Sequence, residues 1–573
     1  MPVTNTEIAA IFNRIADLLE IQEENPFRIR AYRNAARTIQ GLSHSLAEMV
    51  QAGEVLEALP GIGKDLAAKI REILATGSLR KLKALEGAVS PDLVELLQVP
   101  GLGPKRLRVL RDYLDIHGLA DLEQAARQGL VRTLPGFGVK SEQNLLRELT
   151  ELKQRTRRWL WSEVEEVAGQ LLVYLRGVKG VKRVELAGSF RRRKETVGDL
   201  DVLAIATRGA GVIEAFTRFE AVERVVSKGT TRSQVVLRGG LQVDLRVVPQ
   251  ASFGTAWHYF TGSKAHSIAV RTMGVQRGLK INEYGVFDRA GRRIAGRTEE
   301  EVYARLGLSW MEPELREQHG ELEAAAEGRL PKLVELKDLK GDLHCHTSES
   351  DGRDGLEAMA RAAKALGHRY LAITEHSQHL GVARGLTPER LLAHCEAIDR
   401  LNEKLKGIRL LKGVEVDILE DGSLDMPDEV LARLDVVVGA VHFAFGLSSK
   451  KQTERVIRAM DNPHFNILAH PTARLIGRRR ACDLDMEWIM DAALTRGCYL
   501  ELNAQPQRLD LNDLHCRMAK ERGLKVVIST DAHSSGQLEY LRHGVGQARR
   551  GWLEKGDVLN TLGLKSFLNA LKR

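Results

Sequence analysis

The chain has 573 residues, 43% hydrophobic and 28% charged, with a formal net charge of +9, and the excess is uneven: residues 1–340 hold 52 Lys+Arg against 44 Asp+Glu, residues 341–573 hold 33 against 32. At roughly 150 residues per domain the length predicts about four domains, with no run of 18 apolar residues to predict a membrane span and no apolar leader to predict a signal peptide. The five cysteines (345, 395, 482, 498 and 516) are odd in number and lack CxxC spacing, so reduced thiols in a cytoplasm are expected rather than a disulfide framework.

The first 150 residues read as short helices, from Thr6 to Glu20 onward, punctuated by Pro26, Pro60, Pro91, Pro100 and Pro135. Within them one pattern occurs three times: Leu59-Pro60-Gly61-Ile62-Gly63-Lys64, Val99-Pro100-Gly101-Leu102-Gly103-Pro104 and Leu134-Pro135-Gly136-Phe137-Gly138-Val139, each before an amphipathic helix. Two glycines allow a tight turn that presents backbone N–H groups at a helix start, where a phosphate oxygen is favoured. One such turn is unremarkable; three with the same apolar flanks resemble the helix-hairpin-helix module, which grips the DNA backbone without reading sequence. Gly61, Gly63, Gly101, Gly103, Gly136 and Gly138 are the expected DNA contacts.

Next comes Gly188-Ser189-Phe190-Arg191-Arg192, then Gly198-Asp199-Leu200-Asp201, and later Asp244 in Leu241-Gln242-Val243-Asp244-Leu245-Arg246. Asp-x-Asp on a strand places both carboxylates on one face. A third Asp from a neighbouring strand completes a pocket for two Mg²⁺, which can activate an attacking hydroxyl and stabilise a leaving pyrophosphate. Ser189 and Arg192 stand at a turn just before, placed to hold triphosphate oxygens. Further on stand Tyr259-Phe260-Thr261-Gly262-Ser263 and Tyr284.

Together these motifs resemble the family X DNA polymerases, the DNA polymerase beta class, over residues 1 to about 318. The resemblance implies that Asp199, Asp201 and Asp244 bind catalytic metals and that Ser189, Arg192 and Gly198 meet the nucleotide phosphates. It implies that Tyr259 and Phe260 line the sugar, with Gly262, Lys264 and Ser267 also at the nucleotide, and that Arg271 reaches the template strand. It also implies a lyase-like N-terminal domain in which Lys69 aligns with a Schiff-base lysine, with Arg28 and Tyr32 near a 5′-phosphate. Several positions depart from the family. Ser267 stands for an Asn, Lys264 for an Asp, Gln242 for an Arg and Phe27 for a His, while Asp65 and Glu57 thin the basic cluster around Lys69.

Residues Trp310 to Lys340 are charged and helix-prone, which predicts an ordered linker. Beyond it the ligand types repeat: Asp342-Leu343-His344-Cys345-His346 with Asp351, then Thr374-Glu375-His376, Gly413-Val414-Glu415, Val441-His442, Ala469-His470-Pro471 and Asp531-Ala532-His533. Of the 17 His, 12 lie at or after His344. Most motifs follow short apolar β-type stretches, so imidazoles and carboxylates at strand ends point to a common rim able to hold two or three divalent ions. Such a rim serves to activate water and clamp phosphate oxygens. Cys345 alternates with the two His and is expected to point away as a buried thiol. Arg474 and Arg478 to Arg480 follow His470; Arg474 is the candidate to steer a DNA strand.

This series resembles the PHP (polymerase and histidinol phosphatase) phosphoesterase domain, which implies a distorted (β/α)7 barrel. It also implies nine ligands: His344, His346, Asp351, His376, Glu415, His442, His470, Asp531 and His533. The family usually has Asp where Glu375 stands.

The expected class is therefore multidomain α/β and α+β: a lyase-like helical domain (1–85), a second helix-hairpin-helix domain (86–155), a nucleotidyltransferase palm (156–248), a small α+β thumb (249–318), a linker (319–339) and a PHP barrel (340–573). The expected function is gap-filling DNA synthesis by a cytoplasmic monomer acting on gapped or primed DNA and dNTPs. Two Mg²⁺ would serve the polymerase site, and Mn²⁺ or Zn²⁺ a PHP 3′-5′ exonuclease with abasic-site or 3′-phosphate activity as related options. The alternatives are a DNA-tethered phosphatase and a polymerase whose PHP domain is only a metal-stabilised scaffold.

Overall fold

The computed structural model describes residues 5–22, 24–40, 46–51, 53–76, 78–88, 96, 99, 102–116 and 118–572. The chain divides into two compact units, Met1–Arg157 and Arg158–Arg573. Among the described residues no helix is long and apolar enough to cross a membrane.

The first unit is helical. Its core gathers Ile8, Phe12, Ile15 and Leu19 of the Asn5–Ile21 helix with Tyr32 and Ala35 of Pro26–Gln40 and Ile70 of Lys64–Thr76. These apolar positions recur at three- and four-residue spacing, so each helix buries one stripe.

The glycine repeats fold alike. Ile62 N donates to Leu59 O, Leu102 N to Val99 O and Phe137 N to Leu134 O, at 3.0–3.1 Å. Just after, Ala67 N donates to Gly63 O, Leu107 N to Gly103 O and Glu142 N to Gly138 O, at 2.9–3.0 Å. In every repeat the second glycine thus accepts the first bond of the following helix. Gly61 and Gly136 take φ of +75° and +78°, a region costly for any residue with a Cβ. Gly101 lies outside the described residues.

The second unit holds three sheets of consequence. A five-stranded sheet runs, in spatial order, Val181–Leu186, Asp199–Ala206, Gln242–Val247, Arg232–Leu237, Val222–Lys228. Its parallel central pair sets Asp201 opposite Asp244. A three-stranded antiparallel sheet (Lys280–Asn282, Gly285–Phe287, Arg293–Ala295) follows the helices Phe253–Thr261 and Lys264–Gln276.

The third sheet has seven parallel strands in sequence order: Gly341–Asp342, Tyr370–His376, Arg409–Asp417, Val436–Ala440, Ile467–Leu468, Tyr499–Asn503 and Val526–Ser529. Every residue of Tyr370–His376, Val436–Ala440 and Val526–Ser529 is buried, as strands covered on both faces require. A parallel bridge between Cys345 and Ala532 joins the segment after the first strand to the segment after the last. The sheet is thereby a nearly closed barrel.

The stretch between the three-stranded sheet and the barrel packs on both sides. Leu322 and Ala325 pack in one cluster with Val270, Ile281 and Val286, and Leu333 and Leu315 pack on Trp552. Val334 N donates to Leu553 O at 2.9 Å and Lys340 N to Asn560 O at 2.8 Å.

Candidate active sites

Parallel strands deliver their C-terminal ends to one rim, and the barrel's ligand types sit there. His344 and His346 follow the first strand, His376 ends the second, Glu415 lies near the end of the third, and His442 and His470 follow the fourth and fifth. Asp531 and His533 follow the last. Donor atoms converge within 4.8 Å in three groups: His346, Asp351, His376 and His533; His344, His346 and Asp531; and His376, Glu415 and His442. His470 joins through Glu415, its Nε2 3.0 Å from Glu415 Oε1.

Glu415 is the hub. Its Oε2 lies 2.7 Å from His376 Nδ1 and 3.3 Å from His344 Nε2, and its Oε1 3.3 Å from His442 Nε2. Yet His344 Nε2, His346 Nε2, His376 Nδ1 and Glu415 Oε2 are buried without a hydrogen bond among the described residues. Burying polar atoms without partners is costly. Nitrogens and oxygens aimed at one space, without the angles of hydrogen bonds, fit divalent cations held between them.

The electrostatics agree. Burial opposes protonation of His376 and His442, but Glu415 together with Asp351 at His376 and Asp417 at His442 outweighs it and raises them to about 10 and about 9. His346, buried and facing His376 and His533, is instead lowered to about 4. Cations would replace the protons that this carboxylate otherwise draws onto its neighbours.

Outer partners fix the rings. His344 Nδ1 lies 2.7 Å from Glu501 Oε1 and His442 Nδ1 2.6 Å from Asp417 Oδ1, which leaves each Nε2 toward the rim. Glu501 also accepts from His470 N at 2.7 Å, and Asn503 Nδ2 donates to Asp531 Oδ2 at 3.1 Å. Glu375 accepts from Thr347 N at 3.0 Å and from the Ser350 hydroxyl, so it ties down the loop rather than joining the rim. Cys345 packs in the apolar cluster with Met359 and Ile373, away from the ligands. Sequence reading passes over Asp417, Glu501 and Asn503. The signal is strand alternation, because Asp417 is two residues from Glu415, and Glu501 and Asn503 share a face.

In the five-stranded sheet, Asp199, Asp201 and Asp244 lie on adjacent strands. Burial, with Asp199 and Asp244 nearby, raises Asp201 to about 7, and Asp199 is raised by burial and Asp244. Repelling carboxylates in a half-buried cleft are stabilised by cations. Asp244 accepts from Gln234 Nε2 at 2.9 Å and Gln242 Nε2 at 3.2 Å, so the glutamine at the departed position does reach the carboxylate.

The Gly188–Arg191 turn lies against the first acidic strand, and Ser189 is half-buried there. Arg191 is committed to structure: its guanidinium is bidentate to Glu299 at 2.7 Å and stacks on Trp257 at 3.4 Å. Arg192 donates through Nε to Glu317 at 2.9 Å and through Nη1 to Thr261 O. Gly262 approaches Arg192, and Gly198 approaches Arg158. Tyr259, Lys264 and Arg271 are exposed, Phe260 lies under Arg246 at 4.4 Å, and Ser267 is buried with its hydroxyl unpartnered among the described residues.

In the first unit Lys69 is paired with Asp65 and faces the buried Tyr32. Arg28 is exposed beside Glu24 at 3.4 Å.

The donors of Arg474 go to Glu195 at 2.7 Å and to the carbonyls of Arg508 and Leu509, so its guanidinium ties the barrel to the segment before the Thr196–Val197 strand.

Comparison with known proteins matches residues 3–79 to a helix-hairpin-helix domain and 93–151 to a SAM-like helix-hairpin-helix tandem. Residues 256–317 match the DNA polymerase beta thumb and 342–505 the PHP domain. The chain is 38% identical over 570 residues, 99% of both chains, to the DNA polymerase/3′-5′ exonuclease PolX of Bacillus subtilis (strain 168). The chain is 29% identical over 245 residues to a probable phosphatase of Thermoanaerobacter sp. (strain X514), covering 40% of this chain and 95% of that one. It is also 33% identical over 203 residues to a probable phosphatase of Acetivibrio thermocellus, covering 34% of this chain and 79% of that one.

Proposed function

The chain belongs to the family X DNA polymerases that carry a C-terminal PHP domain, and from that membership we propose gap-filling DNA synthesis in repair with 3′-5′ exonuclease activity in the same chain. The observation that carries the reading is the coexistence of two separate clusters of metal-ligand types, the Asp199/Asp201/Asp244 carboxylates and the nine-residue His and carboxylate rim around Glu415.

Asp199, Asp201 and Asp244 hold two Mg²⁺, and the rim His344, His346, Asp351, His376, Glu415, His442, His470, Asp531 and His533 holds two or three ions, Mn²⁺ or Zn²⁺. Bound there, such cations supply Lewis acidity to phosphate oxygens and lower the pKa of an attacking oxygen. Ser189, Arg192 and Gly198 take the triphosphate of an incoming dNTP. Tyr259, Phe260 and Gly262 bound the sugar, with Lys264 and Ser267 beside the base and Arg271 on the template strand. The glycine turns hold the DNA backbone through amide N–H groups. Arg28, Tyr32 and Lys69 form a 5′-phosphate site in gaps. Lys69, paired with Asp65, is the lyase nucleophile candidate, and it would attack a sugar aldehyde as the neutral amine.

Incubating the chain with a primer bordering a one-nucleotide gap tests the reading. Extension with dNTPs and shortening without them support it; a chain that does neither refutes it.

A further inference from the structure

The palm turn that follows Ser189 does not stand alone. It rests on the barrel helix Leu541–Arg550, and contacts tie the two along the helix. Arg542 pairs with Glu165 at 3.0 Å. The His543 ring meets Trp161 edge-on at 5.6 Å, and Trp161 in turn stacks on Phe190 at 4.7 Å and donates to Phe190 O at 2.9 Å. Gly546 faces Arg193, and a Cβ there would lie 2.9 Å from Arg193 Cδ. Arg193 itself has φ of +52°, a strained value for a residue with a side chain. Arg550 ends the row. It donates to the Arg192 carbonyl at 2.9 Å, to Glu317 at 3.0 Å and to Asp513 at 2.5 Å.

Glu317 is therefore shared by Arg192 and Arg550 through the same oxygen, Oε1. One carboxylate between two guanidiniums is balanced while both are present. Without Arg550 more of its charge falls on Arg192, and the backbone of Arg192 also loses its anchor. Both changes oppose handing the Arg192 guanidinium to a triphosphate.

We infer that the exonuclease domain completes the polymerase's nucleotide site: the Leu541–Arg550 helix holds the 188–193 turn in its binding shape, with Arg550 as the positioning residue for Arg192. This rests on Arg192 meeting the nucleotide triphosphate, as proposed above. The chemistry recognised is the triphosphate, so the effect concerns dNTP affinity rather than DNA affinity. Arg550 is remote in role from the metal rim, and its loss leaves exonuclease action on single-stranded DNA in place.

The test is single-nucleotide insertion kinetics of the full chain alongside exonuclease assays. Arg550→Ala is expected to raise KM for dNTP about tenfold with kcat within about twofold, a ground-state binding loss. Arg550→Lys, which can reach one partner but not three, restores part of the affinity. Asp513→Asn touches Arg192 only through Arg550 and gives a milder rise of about threefold, so it serves where Arg550→Ala does not fold. An unchanged KM in folded variants overturns the inference. So does a parallel loss of exonuclease activity, which marks general destabilisation. Wild type that inserts no nucleotide defeats the polymerase reading itself, and this inference with it.

Discussion

Gly188 and Asp201 approach so closely that a methyl group on residue 188 would run into the Asp201 carboxylate, and Gly188 also takes φ of +63°. The glycine that starts the 188–191 turn is thus the floor on which the central carboxylate stands. Gly188→Ala is expected to displace Asp201 and to slow nucleotide insertion roughly 100-fold or more. Exonuclease activity, whose ligands lie in the barrel, stays within about twofold. Insertion and single-strand degradation measured on one preparation check this; equal losses in both would contradict it.

Asp201 links stability to pH. Its carboxyl titrates near 3.8 in an unfolded chain and is raised to about 7 here by burial and by Asp199 and Asp244. Between those values the folded chain holds a proton that the unfolded chain releases, so folding weakens as pH rises and the full cost stands above pH 7. Asp201→Asn should therefore stabilise the metal-free chain at pH 8 by on the order of 1–3 kcal/mol and do nothing at pH 4. Added Mg²⁺ should raise the wild-type melting temperature more than that of the variant. Identical melting of the two chains at pH 8 in EDTA would refute the account.

His368 gives the opposite slope. Both ring nitrogens are buried without hydrogen bonds among the described residues, and burial lowers its pKa to about 4. Below pH 6.5 the unfolded chain gains a proton that the folded chain refuses, so stability falls as pH drops toward 4. A His368→Leu variant should lose stability less steeply than wild type, by about 1 kcal/mol per pH unit in that window. Denaturant melts at pH 7.5, 6 and 5 decide it, and parallel curves would count against it.

Much of this was legible in residue types and spacing. The glycine repeats could be read because a turn with φ near +75° followed by a helix demands glycine at fixed offsets, and all three apolar flanks are intact. The rim could be read because His and carboxylates at the ends of apolar strands have few other uses. Asp417 and Glu501 were hidden, since a carboxylate behind a ligand looks like any strand residue until the ring it orients is placed. The Tyr499–Asn503 strand carries no His and escapes a search by ligand type. The structural contact of Arg474 was hidden, since its partner Glu195 lies 279 residues away in sequence. The 310–340 segment reads as a linker by composition, and only tertiary packing shows Leu322 and Leu333 as core residues.

The helix-hairpin-helix turns separate strain from function. Gly136 and Gly138 both have open space where a Cβ would sit, but only Gly136 has positive φ. Gly136→Ala should cost about 1–2 kcal/mol of local stability through backbone strain. Gly138→Ala should leave stability unchanged and still weaken binding to gapped duplex, because the methyl meets the DNA backbone instead of the protein. Melting and salt-dependent DNA binding of both variants test this; unaltered DNA affinity in Gly138→Ala would remove that turn from the interface.

The central claim is two independent chemistries in one chain. A labelled primer on a one-nucleotide gap, incubated with Mn²⁺ with and without dNTPs, tests it most directly in wild type, Asp199→Ala and His344→Ala. The account predicts that extension is lost only in Asp199→Ala and 3′ shortening only in His344→Ala. A wild-type chain that extends the primer but never shortens it would contradict the account and leave the barrel as a metal-stabilised scaffold.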